Sequence, residues 1–352
     1  MTDAGGFFKI KSMSIVLIVV LLAIAIALFF DFTNGFNDSA NQVATVIASN
    51  ALSPAAALAI AATGNFVGAV FLGRAVAETL GKGIVDPKLL ETGVSGVTVV
   101  LAALIGATLW NLITWHFGLP SSSSHALVGG LVGAFVAGWG FYPINWMKVV
   151  GIFLILVLSP IVGFILSWLL TRLTFGVSRI ATPKANRVFN RLQIISLVAQ
   201  SLSHGTNDAQ KTMGVITFIL IIVGFYSAPA GGQAFVPLRV VILCSLAISL
   251  GTLTGGWKII KKLGAGLYKI RPIHSFSSQI ASASIIYAAS LFGFPISTTQ
   301  VISSAIMGAG AATRPKMVRW LVARDMLLAW LVTIPVSAVI AILSFFAIRL
   351  IF

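Results

Sequence analysis

Residues 14–41 read SIVLIVVLLAIAIALFFDFTNGFNDSAN, an apolar run of membrane-spanning length followed directly by a polar motif. A helix needs about 20 apolar residues to cross a bilayer. Such runs recur along all 352 residues, and the chain is 58% hydrophobic but only 9% charged. So few charges could not cover so much apolar surface in water. The sequence therefore predicts an all-α polytopic membrane protein.

The apolar segments are uneven in length, and several are too short to span a bilayer alone. The short ones come in pairs split by a polar motif, which predicts broken helices and two helical hairpins. The first run follows Lys9 and Lys11 but lacks a small-residue cleavage site, so we expect it to be retained. The single cysteine, Cys244, excludes a disulfide framework or a cysteine metal site. Segments are expected at 14–33, 39–50, 54–73, 93–117, 122–139, 147–171, 192–203, 209–225, 238–256, 272–293, 296–311 and 318–351.

Two motifs occur twice, in the same order. T-N-G-F-N-D-S-A-N at 33–41 returns as S-H-G-T-N-D-A-Q-K at 203–211, an offset of 170 residues. G-L-P-S-S-S-S-H at 118–125 is answered by G-F-P-I-S-T-T-Q at 293–300, an offset of 175. Two ordered pairs at similar offsets indicate an internal duplication. The sequence predicts one repeat at 1–175, a basic cytoplasmic linker at 176–191 and a second repeat at 192–352.

The distribution of Lys and Arg predicts the orientation of these repeats. The breaks at 172–191, 257–271 and 312–324 carry five, five and four basic residues, which is typical of cytoplasmic loops. The break at 226–237 is uncharged, and the one at 74–92 has three basic and three acidic residues, so both are expected outside. The formal charge of +15 thus reflects topology rather than a nucleic-acid partner. Threading the chain through these sides gives inverted-topology repeats, which are typical of secondary transporters with midplane binding sites.

Asp38 and Asp208 lie inside apolar stretches and inside the repeated motif. A carboxylate at membrane depth is costly and usually marks an ion path. With neighbouring amide oxygens the pair could bind sodium or another small cation, or carry a proton; alternatively, each Asp only caps a half-helix. Gly35 and Gly205 are expected to let both helices unwind at the motif. The predicted cation-binding residues are Asp38, Asn37, Asn34, Asp208 and Asn207, with Asp38 and Asp208 as the metal ligands.

The second motif pair predicts an anion site. Each hydroxyl run follows a proline that suits the first turn of a helix, and a helix start presents amide donors that bind oxyanions. Two such starts from antiparallel repeats can face each other; alternatively, these small residues only permit close helix packing. His125 or His204 could donate to the anion or relay protons, and Lys211 could neutralise Asp208, contact the anion or snorkel. The predicted substrate-binding residues are Ser121, Ser122, Ser123, Ser124, Ser297, Thr298, Thr299 and Thr206.

Four segments together resemble the inorganic phosphate transporter family over about residues 25 to 340: F-D-F-T-N-G-F-N-D-S-A-N, H-G-T-N-D-A-Q-K-T-M-G, G-W-K-I-I-K-K-L-G and F-P-I-S-T-T-Q-V-I-S-S-A-I-M-G. The resemblance implies symport of inorganic phosphate with sodium or protons, or as a metal-phosphate complex, and a homodimer with two hairpins in each protomer. It assigns the cation to Asp38 and Asp208 and phosphate to the hydroxyl runs. Many members carry a carboxylate where Asn65 and Gln279 stand, and commonly a histidine at Gln300.

The sequence thus predicts a multi-pass transporter of the cell membrane that imports inorganic phosphate with a coupling cation, sodium or a proton, and no other cofactor. The alternatives are a sulfate permease of the same fold or an anion channel, which would not need paired acids. An enzyme is not expected. A serine hydrolase is disfavoured because the serines precede His125 by one to four residues and no nucleophile elbow is present.

Overall fold

A computed structural model describes residues 4–84, 93–178, 184–227 and 235–351. These residues form twelve α-helices: α1 (Ala4–Ala48), α2 (Pro54–Phe71), α3 (Ala75–Gly83), α4 (Val94–His116), α5 (Ser123–Trp139), α6 (Trp146–Ser178), α7 (Lys184–Ile222), α8 (Leu238–Thr254), α9 (Trp257–Gly266), α10 (Pro272–Leu291), α11 (Thr298–Thr313) and α12 (Trp320–Arg349).

The described helices confirm an all-helical membrane protein. Five of them, α1, α2, α4, α6 and α12, are long and apolar enough to cross a bilayer. The pair α8 and α9 bends by 66° at a short break and would make a sixth, broken span. The helices α3 and α9 fall in stretches that the apolar pattern assigns to breaks.

The two expected hairpins are present. Helix α4 packs against α5 and α10 packs against α11, and each pair is joined by a short connection. The hydroxyl of Ser122 accepts a hydrogen bond from the His125 amide at 3.1 Å, and that of Ser297 accepts from the Gln300 amide at 3.3 Å. Both serines are therefore N-caps. Pro120 precedes its N-cap by two residues, so it lies before the first helical turn instead of inside it.

The expected interruption at 33–41 and 203–211 is wrong. Helices α1 and α7 run through both motifs without a break. A Cβ atom on Gly35 would collide with the backbone of Ile248 in α8, and one on Gly205 with the backbone of Asn65 in α2. These glycines therefore allow two helices to touch backbone to backbone. The breaks lie elsewhere, between α2 and α3 and between α8 and α9.

Residues of the first motif pair stabilise those two breaks. The Gly256 amide, at the start of α9, donates to the Ser39 hydroxyl at 2.9 Å. The Val76 amide, in the first turn of α3, donates to the Gln210 side-chain oxygen at 2.9 Å. Backbone groups freed inside a bilayer need such partners. Polar side chains on the continuous helices thus satisfy amides at the starts of the short ones.

The packing of the helices follows the sequence duplication. Helix α1 packs on α8 and α9, while α7 packs on α2 and α3; α12 packs on α4 and α5, while α6 packs on α10 and α11. Exchanging the first six helices with the last six maps each contact onto its counterpart. This pattern is consistent with two repeats, and their inverted orientation stays a prediction.

The predicted linker at 176–191 is partly helical, because α6 ends at Ser178 and α7 begins at Lys184. Residues 179–183 lie outside the described ranges. So do residues 85–92 and 228–234, which belong to the two breaks expected outside the cell.

A test of the close helix contact compares two glycines. Gly205→Ala should destabilise the protein by about 1–3 kcal/mol, because the added methyl group meets the α2 backbone. The matched control is Gly151→Ala in α6, where a Cβ would have no atom within 4 Å. It should be neutral or slightly stabilising. Thermal unfolding of the purified protein measures both, and equal midpoints would contradict the assigned role of Gly205.

Candidate functional site

The repeated motifs meet in the interior, where α1 and α7 contact the starts of α5 and α11. Two acids, one base, one histidine and four polar side chains form a connected cluster here. Each of them exposes 2% or less of its surface. Its members are Asp38, Asn41, Ser124, His204, Asp208, Lys211, Thr298 and Thr299.

The two predicted carboxylates share one hydroxyl group. The Thr298 Oγ1 atom lies 2.7 Å from Oδ2 of Asp208 and 3.2 Å from Oδ2 of Asp38. Because a hydroxyl has a single hydrogen, it can donate to one of them at a time. Thr299 donates to Oδ1 of Asp38 at 2.6 Å, and Asn41 donates to the same oxygen at 2.9 Å. The structure thus joins predicted cation residues to predicted anion residues.

Lys211 is the central cation of the cluster. Its ammonium group pairs with Oδ1 of Asp208 and donates to the Ser124 hydroxyl at 2.6 Å and to the Ile296 carbonyl at 2.9 Å. These three contacts match its three N–H groups. Of the three alternatives for Lys211, neutralisation of Asp208 is confirmed and snorkelling is wrong. The residue also ties α7 to the start of α5 and to the connection before α11.

His204 lies between the two carboxylates. Its Nε2 atom is 3.0 Å from Oδ2 of Asp208 and 3.5 Å from Oδ2 of Asp38. One ligand atom from each of these three residues lies within 4.8 Å of the other two, so in the described part of the chain they form a group able to hold a small cation. With a neutral His204, two carboxylates and one ammonium leave one negative charge. A bound cation would neutralise it.

The two motifs build similar units with different charge. In α1, Asn41 contacts Asp38 and Thr299; in α7, Lys211 contacts Asp208 and Ser124. Asn41 and Lys211 occupy the same final position of the aligned motifs. The second repeat therefore has an ammonium group where the first has a neutral amide.

The two hairpin ends meet as expected. Gln300 donates to Nδ1 of His125 at 2.7 Å, and these two residues are equivalent in the duplication. The starts of α5 and α11 therefore lie side by side, and each contributes first-turn amides that have no acceptor within their own helix.

The remaining predicted hydroxyl residues have other contacts. Ser123 donates to Oδ1 of Asn34 at 2.6 Å, which engages the oxygen that was expected to bind a cation. The hydroxyls of Ser121 and Thr114 are 2.7 Å apart. Ser122 and Ser297 are the N-caps described above. Of the two hydroxyl runs, only Ser124, Thr298 and Thr299 join the carboxylate cluster among the described contacts.

Three predicted site residues lie at helix–helix contacts. The Thr206 hydroxyl oxygen lies 2.7 Å from the Leu202 carbonyl oxygen and 3.1 Å from that of Gly68, so it can donate to either and faces α2. The side-chain nitrogen of Asn37 donates to the Asn111 carbonyl at 3.4 Å. That of Asn207 donates to the Ser290 hydroxyl at 3.0 Å. These contacts link the central helices to α2, α4 and α10.

Comparison with known proteins shows which protein family the sequence matches. The sequence model of the Phosphate transporter family matches residues 34–179 and 177–341. A Bacillus subtilis protein named "Probable low-affinity inorganic phosphate transporter" is 45% identical over 344 residues, which cover 97% of this chain and all of that protein. A Rhizobium meliloti protein of the same name is 45% identical, and the alignment covers 91% of this chain and 93% of that protein.

A solved structure is also similar. The protein described as "The sodium-dependent phosphate transporter" superposes with a TM-score of 0.84 at 26% identity, covering 95% of this chain and all of that chain. The chain therefore belongs to the phosphate transporter family. The predicted resemblance is confirmed: the protein is a multi-pass membrane transporter and not an enzyme.

The buried ion pair gives a second test. Lys211→Met removes the partner of a buried carboxylate and should destabilise the protein by about 3–5 kcal/mol. The double variant Lys211→Met/Asp208→Asn removes both charges and should regain most of that loss. Thermal unfolding of the purified proteins measures the difference. A single variant as stable as the wild type would show that the Lys211–Asp208 pair does not stabilise the fold.

Proposed function

We propose that the protein imports inorganic phosphate by symport with a cation that Asp38 and Asp208 bind together. The supporting observation is the position of Thr298 at the start of α11, within hydrogen-bonding distance of both carboxylates. The helix start suited to an oxyanion and the carboxylates suited to a cation therefore use the same hydroxyl group.

Competition for donors would couple the two ligands. In the described conformation, Thr298, Thr299 and Lys211 donate to the carboxylates. Phosphate needs the same kind of donor, and its charge is costly in a low-dielectric cavity unless it is compensated. A cation between Asp38 and Asp208 would replace these donors and allow them to turn toward phosphate. Each ligand then increases the affinity for the other, as reciprocal coupling requires.

The cation is sodium or a proton in this proposal. Sodium is supported by the oxygen atoms of the two carboxylates and by the similarity to the solved sodium-dependent phosphate transporter. A proton is supported because either carboxylate can bind one. Alternating exposure would follow from movement between the two inverted repeats, 1–175 and 192–352. A homodimer stays a prediction from the family.

Phosphate is favoured over sulfate by the acceptors in the cluster. Lys211 donates to Asp208 and to the Ile296 carbonyl in the described structure, and both buried acceptors would lose this donor when Lys211 turned toward the anion. A protonated phosphate can donate a hydrogen bond to such groups, whereas fully ionised sulfate cannot. A site built around substrate hydroxyl groups rejects analogues that lack them, because its acceptors stay unpaired. An anion channel has no use for the paired acids.

Asp38→Asn and Asp208→Asn test the cation site. In proteoliposomes, uptake of labelled phosphate under a cation gradient should fall about 10- to 100-fold, the size of a typical coupling effect. The control is Asp325→Asn, an acid whose side chain is 50% exposed and lies 3.7 Å from Arg324. It should transport normally. Unchanged uptake in both cluster variants would eliminate the proposed cation role.

A competition assay tests the substrate. Unlabelled sulfate should inhibit phosphate uptake about 10- to 100-fold less strongly than unlabelled phosphate, because it leaves a buried acceptor unpaired. The assay is run with and without sodium. Equal inhibition by the two anions would favour the sulfate permease instead, and conductance without cation dependence would favour a channel.

A further inference from the structure

A third buried acid lies in α1, outside the cluster. Asp31 has no exposed surface, and neither of its carboxylate oxygens has a hydrogen-bond partner among the described residues. It precedes Asp38 by two helical turns, which is about 10 Å along the helix axis. Asp38 and Asp208 differ from it, because both accept several hydrogen bonds. An ionised carboxylate without partners is expensive at this depth.

The groups that face Asp31 do not supply a counter-ion. Thr212, from α7, faces it, and the Thr212 hydroxyl is also without a partner. The ionisable groups around it are His204, Asp208 and Lys211 of α7 and the thiol of Cys244 of α8. Lys211 is already bonded to Asp208, and His204 lies between the other two acids.

The other helices that pack on α1 do not change this balance. Helix α4 contains no Asp, Glu, Lys or Arg. The lysines of α9 lie farther along α1, because Gly256 contacts Phe36 and Gly264 contacts Ala44. Among the described residues, Asp31 is therefore an acid without a base of its own.

The duplication indicates that helix packing does not require an acid at this position. At the motif offset of 170 residues, the counterpart of Asp31 is Ser201. Ser201 packs against Gly64 of α2, and its hydroxyl donates to the Leu197 carbonyl at 2.8 Å. A small polar residue thus suffices in the second repeat. The carboxyl group is present in the first repeat and absent at the equivalent position of the second.

We propose that Asp31 is a separate proton-binding site of the transport cycle. The inference rests on the proposed symport, to which it adds one proton per turnover beside the ligand of the Asp38 and Asp208 pair. The carboxylate binds a proton to form a neutral carboxyl group before the protein closes around it. The same O–H bond breaks when the region opens to water on the other side, and no other reactant is needed.

The surroundings favour a proton over a metal ion. Hard cations such as calcium and magnesium need about six oxygen ligands. Around Asp31, the facing groups supply the Thr212 hydroxyl and a thiol. A neutral carboxyl group, by contrast, needs one acceptor for its O–H, and the Thr212 oxygen can accept it.

The experiment uses full-length protein in proteoliposomes. Asp31→Asn should retain measurable phosphate–phosphate exchange but take up one proton fewer per phosphate than the wild type, seen as reduced alkalinisation of the external medium. Its accumulation of phosphate under an inward proton gradient should fall by about tenfold for each unit of pH difference. Asp31→Ser, which copies the residue of the second repeat, should behave alike. Asp325→Asn is the control and should keep normal proton uptake.

The outcomes separate the two proposals. Absence of phosphate exchange and uptake in the wild type would contradict the proposed function itself. A proton-to-phosphate ratio that is unchanged in Asp31→Asn would overturn the proton site alone, as would a wild type that moves no protons. A variant that loses sodium dependence and keeps proton uptake would also overturn it.

If neither variant folds, infrared spectroscopy of wild-type protein provides the test. Isotopically labelled aspartate should reveal a protonated aspartic acid at neutral pH, and absence of that band would contradict the proposal.

Discussion

An unpaired carboxylate charge inside a membrane protein is costly, and the Asp208–Lys211 pair is the contact on which this site depends. The same ammonium group bonds to Ser124 at the start of α5 and to the Ile296 carbonyl before α11. One charge therefore fixes both hairpin ends relative to α7. Loss of the pair would remove an electrostatic match and two positional links together, which is why buried ion pairs tolerate change in one partner poorly.

The first repeat has no ammonium group at the equivalent position. Asp38 accepts hydrogen bonds from Asn41 and Thr299, which are neutral donors. Neutral donors stabilise a carboxylate but leave its charge uncompensated. With a neutral His204, the uncompensated negative charge therefore belongs to the Asp38 side of the cluster. Because Asn41 is neutral and Lys211 is charged, the two otherwise similar motifs differ in net charge.

Much of the candidate site could be predicted because charged residues are costly inside a membrane, so the few that occur in apolar segments indicate a site. Asp38 and Asp208 stood out as acids in apolar stretches, and the serine and threonine runs after Pro120 and Pro295 marked two helix starts. The unwinding expected at Gly35 and Gly205 was wrong for a physical reason. A glycine in a membrane helix can either release the backbone or admit a neighbour, and the choice depends on the facing helix.

The sequence also did not predict which neighbouring helix each side of a helix faces. Thr206 sits between Gly205 and Asn207 in the motif, yet its hydroxyl faces α2. The sequence position alone does not reveal which neighbour each side of a helix meets. The helices α3 and α9 escaped prediction because they are short, with nine and ten residues, and lack a spanning apolar run. The sequence indicates His204 as a candidate site residue, but only the fold shows that it lies between two acids.

The backbone contacts at the glycines constrain how the molecule can change shape. Gly35 and Gly251 bring α1 against α8, while Gly205 and Gly68 bring α7 against α2. At these glycines the backbones touch, so rotation of either helix alone would drive backbone into backbone. We therefore expect the two helices of each pair to move together as one rigid body. A conformational change must therefore occur where side chains make the contacts. The hairpin ends bonded to Lys211 and Asn41 meet this condition, because breaking hydrogen bonds releases them without repacking the two helix pairs.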